Sequence, residues 1–75
     1  MRRKDKRGLR YKDKRGFLFE VRHGHYGWTT FCYNPKKDIW WPWPCENWYL
    51  SEEEAAVSLM RYADKRGWEK VCLTI

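Results

Sequence analysis

The histidines and cysteines of this 75-residue chain are the side chains that could carry catalytic or metal chemistry. His23 and His25 lie two positions apart, and the cysteines are Cys32, Cys45 and Cys72. Structural zinc sites usually take paired ligands in a C-x₂₋₄-C pattern, which these cysteines do not form. A thiol–imidazole pair between Cys32 and one of the histidines would need a cleft, and a small domain more often packs such a cysteine in its core. We therefore predict no catalytic residue, no metal site and no cofactor, and we do not expect an enzyme.

The cysteine count also bears on the cellular compartment. Three is an odd number, which argues against the disulfide framework of a secreted protein and favours free thiols in a reducing environment. No apolar run approaches the roughly 18 residues of a membrane span, and the basic N-terminus lacks the apolar segment of a signal peptide. The sequence therefore predicts a cytoplasmic protein with no membrane partner.

The distribution of charge is the clearest binding signal. Residues 1–16 hold nine basic and two acidic side chains, a net charge of +7, whereas residues 17–75 carry −1. Such a block is typical of a solvated arm that binds nucleic acid, and the alternative is a disordered tail that only aids solubility. We predict a basic flexible arm over residues 1–16, in which residues 9–11 could form a short edge strand, and a single small domain over residues 17–75. The basic residues of the arm that we expect to bind nucleic acid are Arg2, Arg3, Lys4, Lys6, Arg7, Arg10, Lys12, Lys14 and Arg15.

Tryptophan provides a second binding signal. Residues 39–50 hold four of the six tryptophans of the chain. Trp40 and Trp41 are consecutive, so on a strand they should point to opposite faces, one to the core and one to the surface. Exposed rings near basic residues suit stacking on unpaired bases, and they equally suit a protein interface. The tryptophans that we expect to bind a partner are Trp40, Trp43 and Trp48. The set in which at least one should be substantially exposed is Trp28, Trp43 and Trp48.

Hydrophobic periodicity predicts three consecutive strands. Residues 17–22 alternate apolar and polar side chains, which is typical of a strand with one buried face. A glycine-containing turn over residues 23–27 separates them from residues 28–33, which are rich in aromatic and β-branched side chains. A second turn over residues 34–38 has Pro35 at its second position, where proline favours a turn. Residues 39–41 form the third predicted strand, which is ended by a proline that cannot donate to a ladder.

One helix and one further strand complete the prediction. Ser51 followed by three glutamates forms a capping box, and the acidic side chains suit the positive end of the helix dipole. The helix should run to about Arg66 and end at Gly67, with Trp68 folding back onto its last turn. Residues 71–75 alternate again and predict a final strand. The predicted fold is α+β: a three-stranded antiparallel meander packed against one α-helix, with a further C-terminal strand, in the order β-β-β-α-β.

The order of several short motifs matches a known DNA-binding layout. They are, in chain order, Val21-Arg22, a short glycine-containing turn, Trp28, Asn34-Pro35-Lys36-Lys37, an aromatic strand and Ser51-x-Glu-Glu-Ala-Ala. Over residues 20–64 this order resembles the plant ethylene-response-factor type of DNA-binding domain, and the arm-site-binding domains of tyrosine integrases have a related layout. The family lays a three-stranded sheet into the major groove and packs one helix behind it.

The resemblance implies which side chains face DNA. Arg22, Trp28 and Thr30 would lie on the DNA-facing side of the sheet. The residues implied to face the helix are Phe19, Val21, Phe31 and Tyr33. The family usually carries several arginines on the DNA-facing side, whereas here Arg22 is nearly alone and Glu20 shares its face, where a carboxylate would repel phosphates. The remaining residues of the predicted nucleic-acid-binding set are the turn lysines Lys36 and Lys37.

Two functions of different classes follow from these signals. The first is a small non-enzymatic protein that binds DNA or RNA through its basic arm and an aromatic sheet face. The alternative is a protein-binding modulator, such as a phage- or plasmid-type inhibitor of a nucleic-acid or defence enzyme, that uses its tryptophan-rich surface. The charge of residues 1–16 favours the first, and the near-neutral charge of the tryptophan-rich remainder favours the second. The sequence leaves the oligomeric state open.

Overall fold

An antiparallel sheet of five strands and one helix form within residues 10–71, the part of the chain that the computed structural model describes. The elements are β1 (Arg10–Lys12), β2 (Leu18–Gly24), β3 (Gly27–Asn34), β4 (Ile39–Pro42), α1 (Glu52–Arg66) and β5 (Glu69–Val71). The strand order across the sheet is β4-β3-β2-β1-β5, so that β2 is the central strand. The predicted α+β class, with one helix and an antiparallel sheet, is confirmed.

Strand β1 changes the extent of the predicted arm. Tyr11 pairs with Phe19 of β2 on one side and with Lys70 of β5 on the other, so β1 lies inside the sheet rather than at its edge. The turn that follows is held by Asp13, whose Oδ1 accepts the N–H of Phe17 at 3.0 Å. The described part of the predicted arm, residues 10–16, therefore belongs to the fold, because Tyr11 packs against the core even though charged residues flank it. Residues 1–9 lie outside the described residues.

Helix α1 begins and ends as its local sequence predicts. The Ser51 hydroxyl accepts the N–H of Glu54 at 3.2 Å, which satisfies one of the amide donors left open in the first turn. At the other end Gly67 adopts a left-handed conformation with φ of 72°. The N–H of Trp68 donates to the carbonyl of Ala63 at 2.9 Å, as in a Schellman motif. Of the strand predicted over residues 71–75, only Val71 is described, at the end of β5.

The core lies between the sheet and α1. Its centre is formed by Phe19, Cys32 and Leu59, all almost fully buried. Trp68, just after the helix, stacks on Phe19 with 3.9 Å between ring centroids and nearly parallel planes. Trp43 meets the same ring edge-on at 5.4 Å. Aromatic burial of this kind compensates for the small number of aliphatic side chains in a short chain.

The register of the β2–β3 hairpin corrects the predicted faces of β3. Gly24 pairs with Gly27, so the loop has two residues, and Phe19 consequently pairs with Cys32. Because side chains alternate along a strand, β3 turns Cys32 and its neighbours at even positions toward the helix. The implied helix-facing positions of Phe31 and Tyr33 are therefore wrong, and both lie on the opposite face. The longer turn that the sequence predicts would have shifted the register by one residue.

Candidate nucleic-acid interface

One face of the sheet carries no helix within residues 10–71, and we call it the open face. Side chains alternate along each strand, so the register defines its members. They include Arg10 of β1, Leu18, Glu20 and Arg22 of β2, Phe31 and Tyr33 of β3, and Trp40 of β4. The open face therefore combines arginine and aromatic side chains on four neighbouring strands.

Glu20 holds two arginines in place at the centre of the open face. Its Oε1 lies 2.6 Å from an Nη of Arg10, and its Oε2 lies 2.7 Å from Nε of Arg22. The Glu20 side chain is 12% exposed, against 25% for Arg10 and 39% for Arg22. The carboxylate is thus covered by the two guanidinium groups, and the three side chains together carry one positive charge. Glu20 therefore does not present an uncompensated negative charge on the open face.

The guanidinium of Arg22 also stacks on an aromatic ring. Its central carbon lies 3.9 Å from the centre of the Trp40 ring, and that of Arg10 lies 5.6 Å away. Tyr33 also packs against Trp40, with 5.1 Å between the two ring centres. Contacts between a cation and a ring fix the guanidinium plane and leave its outer N–H groups available as donors. Such a plane can bind a phosphate oxygen or stack against a base.

A cluster of basic turns adjoins this group at one end of the sheet. The turns are residues 12–16 and 34–38. They lie side by side: a methyl group added to Gly16 would be in van der Waals contact with Pro35, at 3.9 Å. Within them Arg15 is paired with Asp13 at 2.9 Å, and Asp38 accepts the Tyr33 hydroxyl at 2.7 Å. That hydrogen bond, with a smaller effect of burial, raises the pKa of Tyr33. The basic side chains of this end are Lys12, Lys14, Arg15, Lys36 and Lys37, which leave a net charge of +3 after the two aspartates. We call it the basic end.

The opposite end of the sheet is acidic. There Tyr49 pairs with Trp28 through two backbone hydrogen bonds of 2.7 Å, and the chain enters α1 soon afterwards. The first turn of the helix consists of Glu52, Glu53 and Glu54. In the described part of the chain, one end of the sheet is therefore positively charged and the other negatively charged. A polyanion would be attracted to the basic end.

The six tryptophans divide between the two faces, and all are partly buried. Trp41 packs against the core and Trp40 lies on the open face, so the prediction that they point to opposite faces is confirmed. The expectation that Trp28, Trp43 or Trp48 is substantially exposed is wrong. Trp43 packs on Phe19, Trp68 and Tyr62, Trp48 packs against Phe31, and Trp28 contacts His23.

Two residues that the resemblance places beside Arg22 lie elsewhere. Arg22 pairs with Thr29, so Trp28 and Thr30 project to the opposite side of the sheet, toward the helix. Thr30 is fully buried, and its hydroxyl has no hydrogen-bond partner among the described residues. The implied positions of Trp28 and Thr30 on the same face as Arg22 are therefore wrong, for the same reason of register.

A buried carboxylate positions the loop that carries Trp48. Glu46 is 9% exposed, and its oxygens accept the N–H of Asn47 at 2.8 Å and the hydroxyl of Ser58 at 2.6 Å. The Tyr49 hydroxyl lies 3.3 Å from the same carboxylate. The loop is thus tied to α1, and its next residues bring Trp48 over Gly24 on the open face. The sequence offers no local sign of this role, because Ser58 is twelve residues further along the chain.

Within residues 10–71, Cys32 and His23 do not form a thiol–imidazole pair. Cys32 is buried, which, with the nearby Asp13 carboxylate, raises its pKa to about 11, so that it is a neutral thiol at pH 7. His23 pairs with Trp28, four residues along β3 from Cys32 and thus roughly 13 Å away. Among residues 10–71 no three histidine, cysteine, aspartate or glutamate side chains are placed to share a metal ion. Cys72 lies outside the described residues.

Several predicted binding residues lie beyond the described range. They are Arg2, Arg3, Lys4, Lys6 and Arg7. In the part of the chain that is described, α1 is neither long enough nor apolar enough to cross a membrane.

Comparison with protein-family models, with curated proteins and with solved structures gives no significant match to this chain. The residues and their geometry therefore carry the functional conclusion alone.

Proposed function

We propose that this chain is a small non-enzymatic protein that binds nucleic acid through the open face of its sheet. The observation that carries the proposal is the group formed by Arg10, Glu20, Arg22 and Trp40. Two guanidinium groups are fixed there by a shared carboxylate and lie over an indole ring. Arginine planes and aromatic rings in one surface supply both phosphate contacts and base contacts.

The charge distribution supports the same conclusion. The chain carries +6 in total, and residues 1–9 supply five basic side chains against one acidic. The basic end adds a further +3 next to the open face. Neutralising phosphates with these groups releases counterions, which provides affinity without sequence readout.

The layout also supports kinship with sheet-based DNA-binding domains, which we keep as part of the proposal. Strands β2, β3 and β4 follow one another both in the chain and in the sheet, with α1 packed behind them. The resemblance to the ethylene-response-factor and integrase arm-site domains implies three such strands in series, and here β1 and β5 extend the sheet beyond them. The free thiols of Cys32 and Cys45 fit a reducing compartment, so we place the protein in the cytoplasm.

A protein-binding modulator is the second candidate, because a different patch favours it. Leu50 is 94% exposed and Tyr26 is 76% exposed, and the Tyr26 ring meets Trp48 edge-on at 5.3 Å. These three side chains lie at the acidic end of the sheet. Tyrosine and tryptophan often dominate the energetics of protein interfaces, and exposed leucine at such a position suits a binding role.

The test of nucleic-acid binding is a titration of labelled oligonucleotides with the full chain at several salt concentrations. Single-stranded DNA, single-stranded RNA and duplex DNA are compared, and affinity should fall linearly on a log–log plot against salt. Arg22→Gln removes one guanidinium from the open face and should reduce the magnitude of the slope by about 0.7–0.9. Arg61→Gln is the matched control, since it removes the same charge from an exposed position on the helix. The proposal fails if no oligonucleotide binds even at low salt, or if both variants lose affinity equally.

The two candidates are separated by the patch at the acidic end. Changing Leu50 to Ser should leave oligonucleotide affinity unchanged, because Leu50 is almost fully exposed and does not lie at the basic end. If the protein is instead a modulator, the full chain should co-purify with one stoichiometric protein partner, and the Leu50 change should weaken that complex while nucleic-acid binding is absent.

A further inference from the structure

The width of the open face conflicts with insertion into a major groove. Adjacent strands lie about 4.8 Å apart, so the outer strands of a five-stranded sheet are separated by roughly 19 Å. Arg10 on β1 and Trp40 on β4 alone span three of these intervals, about 14 Å. The major groove of B-DNA is about 12 Å wide. Arg22 lies on β2, the central strand of the sheet. To bring Arg22 to a base edge, the groove would have to admit the neighbouring strands on both sides of β2 as well.

The aromatic side chains of the open face form two neighbouring pairs. Tyr33 lies beside Trp40, and Phe31 lies beside Trp48 with 6.4 Å between ring centres. Tyr33 and Phe31 are two residues apart on β3 and point the same way, so the pairs are separated by about 7 Å along the strand. Each pair is half-buried and therefore held in a fixed orientation. Two fixed aromatic positions at this spacing form a platform on which successive unstacked bases can lie.

The charged groups lie where the backbone of such a strand would need them. Arg22 and Arg10 lie next to the first pair, and their guanidinium groups are held by Glu20. The basic end begins where Tyr33 and Trp40 end, since its turns are the connections at that edge of the sheet. A polynucleotide that crosses the platform thus meets positive charge on leaving it, while the acidic end lies at the other side.

From these observations we infer that the ligand is a single-stranded nucleic acid, DNA or RNA, with one base stacked on Tyr33 and on the Arg22 guanidinium that covers Trp40, and the next base stacked on the pair Phe31–Trp48. This inference rests on the proposed function and specifies its ligand. The phosphates contact Arg22, Arg10 and the basic end. Sequence preference is weak in this mode, because every base offers a π-face and affinity comes from stacking and charge.

The experiment measures fluorescence anisotropy of labelled oligonucleotides with the full chain. The probes are a single DNA strand of about 12 nucleotides, the RNA of the same sequence and the corresponding DNA duplex. We expect at least one single strand to bind about tenfold or more tightly than the duplex. The comparison of the two single strands shows whether the 2′-hydroxyl contributes, and preference for either one supports the inference.

Substitutions locate the contact on the platform. Trp40→Leu removes the ring on which the Arg22 guanidinium stacks and should weaken single-strand binding by about 5- to 150-fold, whereas Trp40→Phe keeps a ring and should weaken it far less. Trp28→Leu is the matched control on the helix side of the sheet and should change affinity by less than about twofold. Circular dichroism of each variant checks that the fold is retained. If Trp40→Leu does not fold, the comparison between single strand and duplex in the unchanged protein still decides the inference.

The possible failures are distinguishable. If the duplex binds as tightly as the single strands, or more tightly, the inference is wrong while nucleic-acid binding stands. If Trp40→Leu folds and binds the single strand normally, the platform is wrong in the same sense. If none of the three probes binds, both the inference and the proposed function are lost.

Discussion

Thr29 and Thr30 provide a test of the structure at the level of a single hydroxyl group. The two residues are adjacent on β3 and almost equally buried, at 1% and 0% exposed. The Thr29 hydroxyl donates to the carbonyl of Asn47 at 2.8 Å, whereas the Thr30 hydroxyl has no partner among the described residues. Replacing each with valine, which has nearly the same shape, should therefore change stability in opposite directions.

Thr30→Val should stabilise the protein. A buried hydroxyl without a hydrogen bond costs about 1–3 kcal/mol of folding free energy, and valine removes that cost while it retains the β-branched shape. Allowing for imperfect fit of the second methyl group, we expect a gain of about 1 kcal/mol. For a domain of this size the gain corresponds to a rise in melting temperature of about 4–8 °C.

Thr29→Val should destabilise the protein. The change removes one hydrogen bond and leaves the Asn47 carbonyl without its donor, which costs about 1–2 kcal/mol. It also loosens the loop that brings Trp48 onto the open face. The two variants should therefore differ by about 2–3 kcal/mol in the free energy of unfolding.

The assay is urea denaturation followed by tryptophan fluorescence. With a slope near 1 kcal/mol per molar urea, the midpoints of the two variants should lie about 2–3 M apart, on either side of the unchanged protein. Oligonucleotide affinity of Thr30→Val should be unchanged, because the residue faces the helix and not the open face. A loss of stability in Thr30→Val, or equal shifts in both variants, would refute the assigned register and hydrogen bonding.

Four further results are expected. Trp43→Ala should cost about 3 kcal/mol in urea denaturation, because its ring packs on three aromatic neighbours in the core, and a cost below about 1 kcal/mol would mean that Trp43 is a surface residue. Gly67→Ala should cost only about 1 kcal/mol, because φ is 72° and no neighbouring atom of residues 10–71 lies within 4 Å of the added methyl group. Gly27→Ala should cost about 3 kcal/mol, because the methyl group would collide with the Tyr49 carbonyl oxygen. The same denaturation assay ranks the two glycine variants, and equal costs would contradict the Trp28–Tyr49 pairing. Iodoacetamide should alkylate the exposed Cys45 well before the buried Cys32 at pH 8, as mass spectrometry of the digested protein can show, and the reverse order would contradict the burial of Cys32. The pKa of Cys32 is about 11 in the folded protein, against an ordinary value of 9.0, so the unfolded chain releases this proton at lower pH. The free energy of unfolding should therefore fall progressively between about pH 9 and pH 11, and Cys32→Ala should make this fall less steep.

The helix could be predicted from sequence because its signals are local. Ser51 and Gly67 act through backbone groups no more than four residues away, so their roles follow from chemistry within one helical turn. The opposite directions of Trp40 and Trp41 follow equally from the geometry of any strand. These features needed no knowledge of the rest of the fold.

The register of the first hairpin could not be predicted in the same way. Both Gly24 and Gly27 permit a turn, and the sequence does not say which residues between them form the loop. The two-residue loop places Thr30 in the core and Phe31 on the open face, whereas a longer loop would exchange them. One residue of loop length thus determines which side chains of β3 are available for binding.

The arginine group of the open face could not be predicted from the sequence, for a different reason. In sequence, Glu20 beside Arg22 indicates a weakened binding face, and Arg10 falls within a run of charge that predicts a flexible arm. In the fold β1 pairs with β2, which brings Arg10 opposite Glu20. The carboxylate is then neutralised by an ion pair and holds the guanidinium of Arg10 in place. Only strand pairing across ten residues produces this group.

The tryptophan-rich run over residues 39–50 connects the core to the open face through one backbone segment. After β4, the N–H of Trp43 donates to the Thr30 carbonyl at 2.9 Å, and the chain then leaves the edge of the sheet before Tyr49 returns to pair with Trp28. The excursion lets one run place Trp43 in the core and Trp48 on the open face. Because the open-face rings are half-buried and pack against one another, the open face presents a fixed aromatic shape, and the charged side chains around it supply the electrostatic attraction. The ligand that we propose, a polynucleotide strand, has the matching chemistry of flat groups that stack and are joined by negative charge.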